Sequence, residues 1–153
     1  MKKRTRFHLL RDEHGASLVE LAFVLPLFPL LILGAVDFGR AFYLSTEIVG
    51  AAQAAAAYGS QSPTDTTGIQ NAAKDDAPDV PSLSAGTPTS GTECSDGTQY
   101  TTNISATLSC GSATQVQRVN VTITGTYKPW FPWPGLPSSM TLSSSASMRT
   151  AGS

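Results

Sequence analysis

From Ala16 to Val36 the chain runs for about 21 residues with a single charged side chain, Glu20. As a helix this stretch would be roughly 31 Å long, the thickness of a bilayer's hydrocarbon core. One membrane span is therefore expected. Lys2, Lys3, Arg4, Arg6 and Arg11 lie before it against only Asp12 and Glu13, so the leader carries about +3 and the rest of the chain, with five basic and nine acidic residues, about −4. A basic flank directly before an apolar run keeps the N-terminus in the cytoplasm and sends the remainder across. Nucleic-acid binding is the weaker reading of that basic tip, because no helix-turn-helix, zinc or RNP pattern follows it.

With 153 residues, the chain has room for one domain beside the span. Charged residues make up 14 % of it, against roughly 25 % in ordinary globular chains, and Ser, Thr, Gly and Ala crowd its second half. That composition suits an exported surface protein. The only cysteines, Cys94 and Cys110, fall on the far side in this topology. An oxidising compartment lets them pair and close a loop worth about 3 kcal/mol; two free thiols in a reducing cytosol is the alternative. Neither cysteine belongs to a CxxC or Cys/His spacing, so no metal is expected.

Glu20 is the costly feature, since an ionised carboxylate in mid-membrane costs roughly 2.5 to 3.5 kcal/mol on insertion scales and is kept only with a partner. In a chain that starts at Met1 no partner is near. A cut between Gly15 and Ala16 would supply one, because the new α-amino group of Ala16 lies about one helical turn from Glu20, or can meet the same carboxylate on a neighbouring subunit. A basic leader ending in Gly15, a small Ala16 and Glu20 five places on, followed by LAFVLPLFPLLILGAV, resemble the class III signal of type IV pilins and pseudopilins. More narrowly, RDEHGASLVELAFVLPLFPLLILGAVDFGRAFY is similar to the opening of TadE-like proteins, minor pilins or pseudopilins of the tight-adherence (Tad) pilus and secretion system. The resemblance implies removal of the leader by a prepilin peptidase on the cytoplasmic side, often with methylation of the new N-terminal residue. Two plainer readings compete. A secretory signal peptide could be cut near Leu33-Gly34-Ala35, although Glu20, Pro26 and Pro29 interrupt its apolar region. A simple single-span anchor could let Glu20 snorkel to the interface.

Beyond Val36 no turn signal appears before Gly59, and Phe38, Phe42, Ile48 and Val49 recur at helical spacing ahead of an Ala-rich block. One helix over 16–59 is expected, about 65 Å long, with 16–36 in the membrane, 37–59 outside and a loosening at Pro26 and Pro29. Asp37 and Arg40 form a pair one turn apart. Gly34, Gly39 and the Ala51–Ala57 block suit either close approach of another helix or packing under the protein's own sheet. A short helix is expected over 69–77 behind Thr67 as its cap. The KDDAPD cluster at Lys74–Asp79 lacks the spacing of a calcium loop and reads as a solvated face. Residues 80–97 read as loop.

Three later segments alternate at period two: Tyr100 to Leu108, Val119 to Ile123, and Met140 to Met148. They predict an antiparallel sheet of about three strands, joined by one turn at Cys110-Gly111 and another through KPWFPWPGLP, and covered by the outer half of the long helix. The strand, the Pro-aromatic loop with PGLP and the closing strand ending SASMR also resemble the C-terminal part of TadE-like proteins. The fold class is thus α+β: leader 1–15, membrane half 16–36, outer half 37–59, and an extracytoplasmic loop and sheet domain over 60–153. Trp130, Phe131 and Trp133 in that loop are read first as a lid on the core edge, then as a partner patch, and last as membrane contact.

No phosphate loop, nucleophile elbow, Ser-x-x-Lys pair or His/Glu metal motif is present, and the only histidines, His8 and His14, lie in the leader. Asn103-Ile-Ser105 and Asn120-Val-Thr122 match glycosylation acceptors but fall within expected strands. A structural, non-catalytic subunit is expected, without cofactor, small-molecule substrate or nucleic acid. The resemblance places it in a bacterial inner membrane, with a prepilin peptidase, other pilins or pseudopilins and the assembly platform as partners. The alternative is a signal-anchored adhesin that uses Trp130 to Trp133 as its contact patch.

Overall fold

The structure, a computed structural model, describes the backbone over residues 13–150 and side chains from Leu18 onward. The basic leader up to Asp12 lies outside the described residues. The first element, α1, is a helix over Glu13–Gln61, and helical backbone continues through Pro26 and Pro29. The expected 16–59 helix is therefore present and slightly longer at both ends. Two compact units divide the chain between Val36 and Asp37.

In the first unit the large apolar side chains are exposed on every side of the helix, among them Leu18, Phe23, Leu25, Phe28 and Leu31. A helix that is apolar all round belongs in lipid or in the middle of a larger assembly. Among the described residues this is the one helix long and apolar enough to cross a membrane, as a single-pass anchor would.

In the second unit, α1 changes character. Leu44, Ile48, Ala51, Ala52, Ala55 and Ala56 form a buried stripe at intervals of three and four, against which pack Ile69 and Ala73 of α2 (Thr66–Asp76), Ala77 at its C-cap and Val80. The alanine stripe is therefore buried in the chain's own core, against α2 and the sheet, rather than left for a helix of another subunit. Small side chains permit that closeness: a Cβ on Gly125 would meet Val80 Cγ1 at 2.7 Å and Ile48 Cδ1 at 2.9 Å. Asp65, not Thr67, caps α2, its Oδ1 accepting from the Gly68 amide at 2.9 Å. Its Oδ2 accepts from Tyr58, and these bonds, the Gly68 amide first, hold the Asp65 carboxyl below its ordinary range. The acidic residues of KDDAPD are exposed around a buried Ala77.

The sheet has five strands rather than three: β1 (Ser84–Ala85), β2 (Thr89–Cys94), β3 (Tyr100–Thr101), β4 (Gln115–Tyr127) and β5 (Met140–Arg149), all antiparallel. The central strand is β4. Its pairing with β5 runs from Arg118↔Arg149 to Tyr127↔Met140, while β2 covers Gln115 to Asn120 and β1 covers Ile123 and Thr124. Because β5 overlaps both stretches, β1 and β2 must share the opposite edge. Val119, Val121, Ile123 and Tyr127 face the core, joined across the ladder by Ala146, Leu142 and Met140. Asn120, Thr122 and Thr124 face away, opposite Ser147, Ser145 and Ser143. The alternation expected for these two strands is what the structure has.

Two expectations fail here. Residues 80–97 are not simply loop, for β1 and β2 lie within them. The strand expected over Tyr100 to Leu108 ends at Thr101, where the Asn103 side chain accepts from the Ser105 amide at 2.9 Å and turns the chain away. The following loop lies over β2, with Thr92 Oγ1 within 2.9 Å of the Asn103 carbonyl and Cys94 joined to Cys110 by a disulfide, Cα–Cα 5.4 Å. Consequently Cys110-Gly111 does not close a hairpin. The tight turn joins β2 to β3 at Gly97, which has φ +77°.

Candidate functional site: the Asp37 clasp and the Pro-aromatic loop

Asp37 is the first residue after the apolar run and the first of the second unit, yet it is only 6 % exposed. A carboxylate is buried only where donors surround it. Here they come from the far end of β4 and the loop that follows. The Trp130 amide donates to Oδ1 at 3.1 Å, and the Phe131 amide and the Trp133 indole N–H donate to Oδ2 at 3.3 and 3.0 Å. The Tyr127 hydroxyl donates to the Asp37 backbone carbonyl at 2.8 Å. These bonds, led by that from Trp133, hold the Asp37 carboxyl below its ordinary range, whereas desolvation, with Asp37 next, raises the Tyr127 phenol. The carboxylate thus remains charged and serves as the hub of a clasp across more than ninety residues of chain.

Arg40 completes it from the next turn of α1. Its guanidinium stacks on the Trp130 ring at 4.0 Å and lies 3.6 Å from Asp37 Oδ1. The loop is ordered further by an edge-on contact of Phe131 with Trp133, and by a turn in which the Leu136 amide donates to the Trp133 carbonyl ahead of Gly135 at φ +88°. Pro129, Pro132, Pro134 and Pro137 fix φ along it. A shallow cleft of about 320 Å³ opens among Trp130, Phe131, Trp133 and Leu136. The outer surface stays bare: Trp130 is 73 % exposed and Leu136 53 %. Trp130 is therefore not the lid on the core edge that was the first expectation, while half-buried Trp133 turns inward to Asp37.

The other sequence-derived positions are dispersed. The backbone of Gly15 and Ala16 is within α1, and Glu20 is exposed, with no cation against it among the described residues. A second charged cluster lies on the outer face of the sheet, where buried Glu93 accepts from Arg118 at 2.9 Å and Arg149 at 2.7 Å. It braces β2, β4 and β5. Among the described residues no group of His, Cys, Asp and Glu is arranged to hold a metal.

The part that sequence reasoning missed is the role of Asp37. An Asp and an Arg one turn apart on a helix look like a solvated pair, and nothing local announces donors ninety residues away. The available signal was chemical: a tryptophan N–H in a proline-rich loop needs an acceptor, and Asp37 stands at the boundary of the apolar run. Comparison with curated proteins gives no match, and neither does comparison with solved structures. Residues 15–57, by contrast, match the family model described as TadE-like protein, and that stretch holds Glu20, the apolar helix, Asp37 and most of the buried alanine stripe.

Proposed function

We propose that this chain is a minor pilin or pseudopilin, a structural subunit used in building a Tad-type pilus or secretion assembly. One observation carries the reading: the TadE-like segment includes a helix apolar on all sides, with a carboxylate at Glu20 near its start and a packed domain after it. In this reading the basic leader holds the N-terminus in the cytoplasm of a bacterial cell, and a prepilin peptidase cuts between Gly15 and Ala16. The helix stays in the inner membrane, and the new α-amino group meets Glu20 of its own or a neighbouring chain. The sheet domain lies outside, where an oxidising compartment keeps Cys94 and Cys110 joined. The subunit acts by assembly rather than catalysis, with other pilins or pseudopilins and the assembly platform as partners and the motor supplied by other proteins. Methylation of Ala16 is part of the same proposal.

N-terminal sequencing of the membrane form, made beside a prepilin peptidase, tests this. A start at Ala16 supports it; Met1 supports a plain anchor, and a start near Val36 a signal peptide. Glu20→Ala should insert and be cut yet fail to enter assemblies, and normal assembly by that variant would remove Glu20 from the docking role. The second reading, a signal-anchored adhesin, is favoured by the exposed Trp130 and predicts that Trp130→Ala abolishes attachment while assembly is unaffected.

A further inference from the structure

We propose that the Pro129–Ser138 loop sits in the headgroup layer of the bilayer and anchors the outer domain to the lipid surface. The inference rests on the reading of residues 18–36 as a membrane span. Those 19 residues make about 28 Å of helix, which places the next residue, Asp37, at the edge of the hydrocarbon core. The loop is bound to Asp37 by three donors and so lies within a side chain's length of that level.

Its chemistry suits the interface. Trp130 and Leu136 present bare apolar surface, and Phe38, the residue after Asp37, is 75 % exposed. Indole rings settle where one side is apolar and the other wet. Entry into a poorly hydrated layer is normally opposed by unpaired backbone donors. Here four prolines carry no N–H, and the amides of Trp130, Phe131 and Leu136 and the Trp133 indole are bonded within the domain, leaving the amides of Trp133, Gly135 and Ser138 for headgroups or interfacial water. Exposed Lys128 beside Pro129 adds a positive charge suited to lipid phosphates, while the charge of Arg40 is balanced by Asp37. A lipid surface accounts for the position, the bare rings, the few open donors and the exposed cation together, whereas a protein partner would not require the loop to be tied to the first residue after the span.

Both tryptophans of the chain are in this loop, so intrinsic fluorescence reports on it alone. The full chain, and its Trp133→Phe variant that leaves Trp130 as sole emitter, are placed in phosphatidylcholine–phosphatidylglycerol vesicles. Spin-labelled lipids quench at headgroup or at chain-end depth, and acrylamide quenches from water. The expected result is blue-shifted emission, shielding from acrylamide, and greater loss to the headgroup-level label than to the deep one. The Trp130→Phe variant, which retains the Trp133 bond to Asp37, should lose less emission to the same label. Emission like that of aqueous tryptophan, unaffected by either lipid label while the chain withstands an alkaline wash, overturns the anchor and leaves the span standing. Shielding from acrylamide without lipid quenching would mean a protein covers the loop, and also overturns it. Release of the chain by the wash defeats the span and the anchor together.

Discussion

Residues 18–36 and residues 37–61 belong to one helix and obey opposite rules. The first stretch carries large side chains, Phe23, Leu25, Phe28 and Leu31 among them, and leaves them exposed; the second carries mostly alanine on its inner face and buries it completely. Large and apolar on all sides suits a solvent that is itself apolar, where the helix needs no preferred face. Small and apolar on one side suits a close backbone approach to β4. The difference shows that hydrophobicity alone does not mark a protein's core: the more apolar half of this helix lies outside it.

The sharpest way to break that contrast is to substitute within each half in turn and follow unfolding of the full chain in detergent by near-ultraviolet circular dichroism. Ile48→Asp buries an unpaired carboxylate in the core and should cost more than about 4 kcal/mol, enough to lose the folded sheet domain. Next in size is the disulfide. The Cys94→Ser, Cys110→Ser double variant should lose about 3 kcal/mol, since a loop of this length is no longer closed in the unfolded chain.

Asp37→Asn should have a smaller effect that depends on pH. Because the folded-state carboxyl is held below its ordinary 3.8, its contribution is present above that value and is lost as pH falls through the depressed one. Asp65 and Asp96 are shifted in the same direction, so the wild-type acid profile is shared among them. The difference between wild type and Asp37→Asn isolates the clasp; it should be largest near neutral pH and vanish in strong acid, read from the Trp133 signal. A pH-independent difference would mean that the carboxylate's charge is not what holds the loop. The smallest effect belongs to the first stretch: Phe28→Ala should move the stability of the sheet domain by less than about 0.5 kcal/mol.

What the sequence disclosed follows from which patterns are local. The long helix was legible because no turn signal interrupts it before Gly59, and β4 and β5 because each alternates at period two, from Val119 through Ile123 for example. β2 was not, since Thr89-Ser-Gly-Thr-Glu-Cys has no apolar alternation; it is a strand because β4 is long enough to present a second edge and because Thr92 and Cys94 are covered by the loop after β3. Tyr100 to Leu108 erred the other way: its alternation was real, but Asn103 and the crosslink to Cys94 drew it into a loop. Of the candidate site, the aromatic loop could be read directly. The clasp could not, because Asp37 meets its donors only after the sheet has formed.

Single cysteines placed along α1 in the membrane-embedded full chain, probed with a membrane-impermeant maleimide, test most directly whether the two halves of this helix have different solvents. Positions 28 and 31 should resist labelling although the protein itself leaves them bare, while position 42, equally bare and more than a helical turn beyond Asp37, should react. Equal labelling at 28 and 42 would contradict the account, for it would put water where it requires lipid.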